Sequence, residues 1–221
     1  MRTSQEDRWA GDFGLAYTGR NMSSPNDMDH KERALYGESR TQIYKSFFWG
    51  KEPFGVVPRD SCILEVGCNI GNPMQTLLKL GYYKVKGIDI QDEALKIAKI
   101  RGLLAIKASA LDLPFQDKEF DLVYTSGLLI HLNPSDGSLC RALSEINRVS
   151  KKWFWGFESY SDRIREIPSY HGEKELYWTA DYQSIFQMLC PDFKLVQSKM
   201  YPYQDNSGFR EKAFLLEKKV G

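Results

Sequence analysis

The chain has 221 residues, 42% of them hydrophobic and 27% charged, which is the composition of a globular protein rather than a disordered one. Its net charge is +1 with basic residues spread evenly, which argues against tight, sequence-independent binding of nucleic acid. No apolar run is long enough to cross a membrane, and the polar N-terminus lacks a signal-peptide core. Four scattered cysteines without a Cys/His cluster predict a cytoplasmic protein with free thiols and no metal site.

Short apolar runs alternate with amphipathic segments through the middle of the chain, which predicts strands and helices in turn. Asn72 is expected to cap the first of these helices, with Pro73 at its first position. Strands are predicted over 62–66, 85–90, 103–107, 121–125, 153–158, 193–203 and 212–218, and further helices over 92–101, 137–149 and 179–189. This alternation predicts a parallel α/β sheet, with the last two strands as an antiparallel pair at its edge.

A glycine-containing loop, Gly67-Cys68-Asn69-Ile70-Gly71, follows the first predicted strand. Glycines let a backbone turn sharply and approach a ligand closely, and parallel sheets bind ligands at this end of their strands. The G-x-x-x-G spacing differs from the G-x-G-x-x-G of dinucleotide-binding loops, and no Gly-Lys-Ser/Thr follows as in a P-loop. The loop therefore predicts a nucleoside ligand that carries no phosphate.

Asp89 closes the second predicted strand, where an acidic side chain can hydrogen-bond the hydroxyls of a ribose. The alternative is that Asp89 only caps a turn or a helix. The combination with the glycine loop favours the ligand-binding interpretation.

Four motifs, taken together, resemble a class I S-adenosylmethionine-dependent methyltransferase over roughly residues 61–150. They are Glu65-x-Gly67-Cys68-x-x-Gly71-Asn72, Gly87-Ile88-Asp89, the segment 108–115 (ASALDLPF) and Phe120-Asp121-Leu122-Val123. The resemblance implies a Rossmann-like, seven-stranded, mostly parallel sheet in the order 3-2-1-4-5-7-6, with strand 7 antiparallel and helices on both faces.

The resemblance also assigns cofactor-binding residues. Gly67, Cys68 and Gly71 would line the methionine part of the cofactor, with Asn69 and Asn72 in the same loop. Asp89 would take the ribose hydroxyls and Ile90 would lie against the adenine. Ser109, Ala110 and Leu111 would face the adenine edge, where many relatives have Asp in place of Ser109, and Ser126 would lie near the amino-acid end.

Further motifs are similar to the bacterial family of pseudaminic acid biosynthesis-associated methylases. These are Trp9-x-Gly11-x-Phe13-Gly14-x-x-Tyr17-x-x-Arg20-Asn21 and the segments 127–132 (GLLIHL), 155–161 (WGFESYS) and 213–218 (AFLLEK). This resemblance implies a sugar or nucleotide-sugar acceptor and an N-terminal segment over the cofactor. Tyr17 would then cover the sulfonium, Arg20 would pair with the cofactor carboxylate and Asn21 would lie beside them. The alternative is one amphipathic helix in which Trp9, Phe13 and Tyr17 simply pack.

Methyl transfer requires an acceptor held in line within about 3–3.5 Å of the methyl group and, for some acceptors, a base. His131 follows the fourth strand closely and titrates near neutrality, so it is the candidate base. The alternative for His131 is a structural hydrogen bond to the backbone at a helix start. Glu158, at the end of the fifth strand, is a second catalytic candidate that would bind an amine or hydroxyl or act as base. Its alternative role is to pair with a nearby Lys or Arg.

The sequence thus predicts a methyltransferase that moves a methyl group from S-adenosylmethionine to O or N of a small molecule, with no nucleic-acid or membrane partner. The alternatives are a methyltransferase for protein or RNA, a non-catalytic cofactor-binding regulator and, less favoured, an NAD-dependent oxidoreductase. The oligomeric state and the identity of the acceptor stay open.

Aromatic residues are unevenly distributed, since residues 61–150 hold only 5 of the 29. A single domain is predicted over 1–221, with a helical lid at 1–60, a cofactor-binding core at 61–150, and C-terminal strands with a substrate lid at 151–221. The aromatic flanks are expected to supply the lid and the acceptor pocket, although packing in the core is the alternative for most of these rings. The candidates are Trp9, Tyr17, Trp155, Tyr160, Tyr170 and Trp178.

Overall fold

The computed structural model describes residues 2–49 and 56–219. It divides into two compact units, residues 1–109 and residues 110–221. Residues 50–55, which belong to the helical lid predicted over 1–60, lie outside the described residues.

The first unit begins with four short helices whose starts are set by local capping. They are α1 (Ser4–Ala10), α2 (Asp12–Arg20), α3 (Pro25–Tyr36) and α4 (Arg40–Tyr44), and a turn of π-helix, Lys45–Trp49, continues α4. Thr3, Ser24 and Ser39 each accept from a backbone N–H of the following helix and complete a reciprocal capping box. These boxes determine where three of the four helices start.

The N-terminal aromatic repeat is split between two helices, so the single amphipathic helix considered as the alternative to a cofactor lid is wrong. Gly11 lies between α1 and α2 with φ −95° and ψ −150°, outside the helical region, and its N–H bonds the last carbonyls of α1. Glycine is a poor helix residue, which allows the chain to turn there. The rings nevertheless meet, with Trp9 in edge contact with Phe13 at 5.0 Å and with Tyr17 at 5.1 Å between centroids.

Three parallel strands complete the first unit: β1 (Ile63–Val66), β2 (Val85–Asp89) and β3 (Leu104–Lys107). Helices α5 (Asn72–Lys79) and α6 (Asp92–Ile100) connect them. Helix α5 packs on β2, and α6 packs on β2 and β3. Asn72 is the first residue of α5 rather than its cap, because Gly71 takes the cap position in the left-handed conformation at φ +79°.

The second unit carries the remaining elements. They are β4 (Phe120–Ser126), a 3₁₀ turn (Leu129–His131), α7 (Ser138–Val149), β5 (Ser150–Ser159), β6 (Arg165–Glu166), β7 (Trp178–Thr179), α8 (Tyr182–Leu189), β8 (Phe193–Pro202) and β9 (Arg210–Lys218). The last helix starts at Tyr182 instead of at the predicted 179, because the Asp181 side chain caps it and Trp178–Thr179 pairs with Arg165–Glu166 instead.

The main sheet has seven strands in the order β3-β2-β1-β4-β5-β9-β8. Strands β6 and β7 form a separate two-stranded sheet. When only the seven strands of the main sheet are numbered, β8 and β9 become strands 6 and 7, and the order is the predicted 3-2-1-4-5-7-6. The seventh, β9, runs antiparallel to both β5 and β8, as predicted. The α/β fold and its topology are therefore confirmed.

Large aromatic side chains fill the interior of the second unit. Trp155 is fully buried and stacks on Phe157, and Trp178 is 5% exposed. Packing, rather than ligand contact, accounts for these two tryptophans. Within residues 2–49 and 56–219, no helix is both long enough and apolar enough to span a bilayer.

Candidate active site

The glycine loop of the first unit folds back onto the end of β2. The backbone N–H groups of Gly67 and Cys68 both donate to the carbonyl of Ile88, at 2.9 and 2.8 Å. Three residues of the loop have positive φ: Gly67 at 79°, Asn69 at 46° and Gly71 at 79°. Positive φ favours glycine at Gly67 and Gly71, and at Gly71 a Cβ would also lie 2.1 Å from the side chain of Leu103.

Asp89 holds this loop through its side chain. One carboxylate oxygen accepts the N–H of Asn69 at 2.8 Å, and the other accepts the N–H of Gln91 at 2.9 Å. Burial raises the pKa of Asp89, and these backbone hydrogen bonds oppose the rise. A carboxylate can accept about four hydrogen bonds, and those from Asn69, Gln91 and Ile90 leave capacity for a further donor such as a ribose hydroxyl. The turn-capping role is therefore real and is compatible with ligand binding.

The N-terminal helices lie against the same edge of the first unit. The side chain of Asn69 donates to the hydroxyl of Thr18 in α2 at 3.3 Å. The side chain of Gln91 donates to the carbonyl of Gly11 at 3.2 Å. Glu6 of α1 accepts a hydrogen bond from the hydroxyl of Ser109. The segment predicted as a lid therefore contacts the glycine loop and the residues that follow β2 and β3.

A second anchor fastens the residues after α2. Arg101 donates to the side chain of Asn72 at 2.7 Å and to the carbonyls of Ile70 and Ser23 at 3.1 and 2.8 Å. The amide of Asn72 also donates to the hydroxyl of Ser23 at 2.9 Å. Asn72 thus ties the loop to the N-terminal segment. Sequence reasoning missed Arg101, because nothing in its helix pattern separates it from an ordinary last-turn arginine.

Three N-terminal residues predicted to bind cofactor have the following surroundings. Tyr17 is half-buried against Trp9, and the side chain of Asn21 donates to the carbonyl of Tyr17 at 2.9 Å, closing α2. Arg20 is exposed, and its guanidinium lies 5.9 Å from the centroid of Phe13. Aromatic packing of this segment is confirmed, and the cofactor role of these residues stays a prediction.

The other predicted cofactor residues divide between the units. In the first, Cys68 is buried with a pKa raised by burial and by the negative charge of Asp89, so it packs as a neutral thiol. Ile90 and Ser109 are half-buried and follow β2 and β3. In the second unit, Leu111 is buried, while Ala110 and Ser126 are half-buried, with Ser126 as the last residue of β4.

Glu158 lies near the end of β5 in the second unit and is 1% exposed. Its two oxygens accept the backbone N–H groups of Leu128 at 3.2 Å and Ile130 at 3.4 Å. Burial raises its pKa to about 8, against the lowering effect of hydrogen bonds from Thr125 and Leu128. Across the described residues no Lys or Arg pairs with Glu158. Its contacts instead fix the backbone turn that carries His131.

His131 ends that turn and is 7% exposed. Its Nδ1 lies 2.7 Å from the carbonyl oxygen of Leu176. A carbonyl can only accept, so Nδ1 carries the hydrogen and Nε2 carries the lone pair. Burial lowers the pKa of His131 to about 4, which keeps the ring neutral near pH 7. The backbone bond expected of a structural histidine is present, and it also sets the tautomer that a general base requires.

A cluster of aromatic rings surrounds His131 in the second unit. Tyr170 and Tyr177 are half-buried and stack with centroids 5.0 Å apart, and they lie 5.1 and 5.9 Å from the His131 ring. The sequence singled out Tyr170 but not Tyr177. No spacing signal joins Tyr177 to His131, since the two residues come together only through tertiary contacts. In the described part of the chain, no group of three or more His, Cys, Asp or Glu side chains could hold a metal ion.

Comparisons with known proteins bear on this arrangement. Residues 64–153 match a family described as a methyltransferase domain. This segment carries the glycine loop, Asp89 and the turn with His131.

Two relatives match parts of this chain. An uncharacterized protein of Haemophilus influenzae is 32% identical over 105 residues, which is 44% of this chain and 41% of that protein. A sterol 24-C-methyltransferase of Gibberella zeae is 28% identical over 131 residues, which is 55% of this chain and 33% of that enzyme. The chain therefore spans less than half the length of these relatives.

One of the similar solved structures matches this chain along most of its length. It is the 1,6-didemethyltoxoflavin-N1-methyltransferase of Burkholderia thailandensis, with bound 1,6-didemethyltoxoflavin and S-adenosylhomocysteine. It has a TM-score of 0.61 at 17% identity and covers 94% of this chain and 89% of its own. This likeness shows the Rossmann-like methyltransferase fold for this chain.

Proposed function

We propose that this protein is an S-adenosylmethionine-dependent methyltransferase acting on O or N of a small molecule. The observation that carries the proposal is the loop Gly67–Gly71 held against Asp89 within the matched methyltransferase domain. A fold alone does not establish an activity, so the argument rests on this site and on the cluster around His131.

The residues of the first unit fit the cofactor chemically. The backbone of the glycine loop is half-buried at Gly67 and Asn69, two of its left-handed positions, and Asp89 retains acceptor capacity for a hydroxyl. The side-chain oxygen of Asn69 is buried without a hydrogen-bond partner among the described residues, which is the state expected of a group that binds a ligand donor. Bound there, the cofactor would supply a methyl group activated by the positive charge of its sulfonium.

The residues of the second unit would serve the acceptor. We assign His131 as the base, because its Nδ1–H is held by Leu176 and its Nε2 carries a lone pair that can take a proton from a hydroxyl or ammonium group. Glu158 acts through His131, since it binds the backbone of the turn from Leu128 to Ile130 that ends at that histidine. Glu158 is therefore a positioning residue in this proposal.

The class of acceptor is the finer part of the proposal. The similarity of the N-terminal and C-terminal motifs to the pseudaminic acid-associated methylases supports a sugar or nucleotide-sugar. The didemethyltoxoflavin enzyme, which shares the fold, supports a small molecule more generally. The even distribution of positive charge gives no support to an RNA acceptor.

Titration calorimetry with S-adenosylmethionine and with S-adenosylhomocysteine tests the binding step. Both ligands should bind with one site per chain, and the absence of heat from both would refute the proposal. NAD serves as the control ligand, because binding of NAD instead would indicate an oxidoreductase.

A turnover screen tests the chemistry. The protein is incubated with S-adenosylmethionine and metabolite pools, with sugars and nucleotide-sugars first, and products heavier by one CH₂ are sought by mass spectrometry. Cofactor binding without any methylated product from small-molecule or macromolecular pools would favour a regulatory cofactor-binding protein.

A further inference from the structure

A buried carboxylate in the second unit determines which way the hydrogen bonds around Tyr177 run. Glu211 of β9 lies directly opposite Ser159 of β5 in the antiparallel register and is 7% exposed. It accepts from the hydroxyl of Ser159 at 2.8 Å and from the hydroxyl of Tyr203 at 2.7 Å. The hydroxyl of Ser159 in turn lies 2.6 Å from that of Tyr177.

The direction of this chain of hydroxyls follows from the number of hydrogens. The hydroxyl of Ser159 has one hydrogen, which it donates to Glu211. The bond between Ser159 and Tyr177 must then be donated by Tyr177. The phenolic oxygen of Tyr177 therefore presents a lone pair, and not a hydrogen, to any ligand beside it.

The His131 ring, the second polar group of the cluster, also offers a hydrogen-bond acceptor. His131 donates from Nδ1 to the carbonyl of Leu176 at 2.7 Å, so its Nε2 is also an acceptor. The ring of Tyr177 is tilted against that of His131 at 5.9 Å between centroids. Both side chains of this cluster thus offer hydrogen-bond acceptors, Nε2 of His131 from a buried position, so a ligand bound there must bring the hydrogens itself.

A tight turn fixes the apolar surface of the cluster. Tyr170 and Glu173 exchange backbone hydrogen bonds of 2.8 and 3.1 Å, and the two residues between them, His171 and Gly172, have φ of +53° and +89°. Positive φ at both central positions is the signature of a type I′ hairpin turn. Tyr170 at its start stacks on Tyr177 with an interplanar angle of 13°.

We propose that Tyr170, Tyr177 and His131 form a subsite for a neutral hydroxylated ring, such as a sugar, and that Glu211 is the positioning residue that sets the polarity of the subsite through Ser159. The proposal rests on the proposed function, in which the second unit binds the acceptor. A sugar ring offers apolar C–H faces to the tyrosine rings and hydroxyl hydrogens to the two acceptors. A flat ring without donors would gain the stacking and lose the hydrogen bonds.

The tautomer of His131 provides a test that needs no ligand. The chain has three histidines, so long-range ¹⁵N–¹H correlation spectra of histidine-labelled protein can be assigned with His30→Asn and His171→Asn variants. The proposal expects neutral His131 with its hydrogen on Nδ1 at pH 7. A hydrogen on Nε2, or a doubly protonated ring, would overturn it.

Matched glycosides test the polarity of the subsite. Methyl α-D-glucopyranoside and methyl α-D-galactopyranoside are compared with their tetra-O-methyl derivatives by saturation-transfer NMR. The parent sugars should bind about 3- to 10-fold more tightly, as expected for one or two hydrogen bonds of ordinary net strength. Equal binding of the methylated sugars, or no binding of any of them, refutes the subsite.

Variants separate the effect of the relay, the hydrogen bonds from Tyr177 through Ser159 to Glu211, from the effect of packing in this region. Ser159→Ala should weaken glycoside binding as much as Tyr177→Phe, although Ser159 lies behind Tyr177. Ser161→Ala is the control, because Ser161 is also buried and bonds the hydroxyl of Thr179 outside the relay. Unchanged binding in Tyr177→Phe, or an equal loss in Ser161→Ala, would contradict the role of these hydrogen bonds. If Ser159→Ala does not fold, the result for Tyr177→Phe decides alone.

The same preparations separate this proposal from the proposed function. If S-adenosylmethionine binds and no glycoside does, the sugar subsite is wrong and the methyltransferase assignment stands. If glycosides bind with the expected polarity and S-adenosylmethionine does not, the subsite stands and the methyltransferase assignment fails.

Discussion

The carboxylate of Asp89 and the backbone N–H of Asn69 form a hydrogen bond of 2.8 Å that joins the end of β2 to the glycine loop. Because the second oxygen of Asp89 holds Gln91 at 2.9 Å, this side chain both shapes the loop and offers its remaining acceptor sites to a ligand. Its replacement should therefore affect cofactor binding strongly.

Asp89→Ala should weaken binding of S-adenosylmethionine about 10- to 100-fold, the range expected when hydrogen bonds to a charged group are lost. Calorimetry measures the affinity, and circular dichroism confirms that the variant is folded. Asp92→Ala is the control, because Asp92 lies three residues further on and its side chain is 61% exposed. Wild-type affinity in Asp89→Ala would refute the ribose-binding role.

His131→Ala should lower turnover by about 10²- to 10⁴-fold, the usual contribution of a general base, and leave cofactor affinity nearly unchanged. His30→Ala is the control, because His30 is an exposed residue of α3, and it should behave as wild type. The pH dependence adds a second readout, since the pKa of His131 is lowered to about 4. His131 should therefore not titrate near pH 6.5. The pH profiles of turnover for wild type and His131→Ala should not differ by an inflection at that pH. Unchanged turnover in the variant would make His131 structural.

Glu158 should make the protein less stable as the pH rises. Its pKa is about 8 in the folded protein and about 4.5 when unfolded, so between these values the folded state binds a proton that the unfolded state has lost. The free energy of unfolding therefore falls from pH 5 to pH 8. Glu158→Gln, which stays neutral, should flatten this fall by a few kcal/mol in urea unfolding. An identical pH dependence in wild type and Glu158→Gln would argue against a protonated Glu158.

Two glycines of α2 should respond oppositely to alanine. A Cβ on Gly14 would lie 1.8 Å from the carbonyl oxygen of Trp9, whereas a Cβ on Gly19 would meet nothing within 4 Å. Gly14→Ala should lower the free energy of unfolding by about 1–3 kcal/mol through overpacking. Gly19→Ala should raise it by about 0.5–1 kcal/mol, because alanine favours the helix. Chemical denaturation checks both, and a neutral Gly14→Ala would show that α1 and α2 can move apart freely.

A buried ion pair ties α3 to α4. The guanidinium of Arg40 donates to both oxygens of Glu32 at 2.5–3.1 Å, and both residues are buried. Glu32→Ala should cost about 3–5 kcal/mol of stability, because it leaves the Arg40 charge buried without this partner. Glu93→Ala is the matched control, since its pair with Lys96 is exposed and should contribute less than about 1 kcal/mol. Equal effects of Glu32→Ala and Glu93→Ala in thermal unfolding would mean that water solvates the Arg40 guanidinium in the variant.

Much of the sheet could be predicted from local patterns. The strand at Cys62–Val66 and the one at Val85–Ile90 are apolar runs ended by glycine or acidic residues, and the structure places β1 and β2 there to within one residue. Strand β5 differs more from its prediction, because it starts at Ser150 and not at Trp153. Its first residues are held by pairing with Phe120 of β4, a contact that the sequence pattern does not contain.

The site was predictable only where its residues lie in one loop or follow one strand. Gly67, Asn69 and Gly71 are close in sequence, so their shared turn can be inferred from glycine spacing alone. Arg101 and Ser23 are far apart, and their hydrogen bond depends on where α6 ends relative to the N-terminal helices. No periodicity encodes that relation.

By itself the sequence determined the alternation of strands and helices, the glycine loop and the acid that follows β2, because these depend on neighbours a few residues apart. The tertiary structure decided that Gly11 splits the N-terminal helix and that Glu158 holds the turn of His131. It also decided that the register of β5 and β9 places Glu211 opposite Ser159. The physical reason is that strand register and the burial of a carboxylate are set by contacts between distant segments. The aromatic-rich C-terminal part therefore shows its polar cluster, and the polarity of Tyr177, only after the chain has folded.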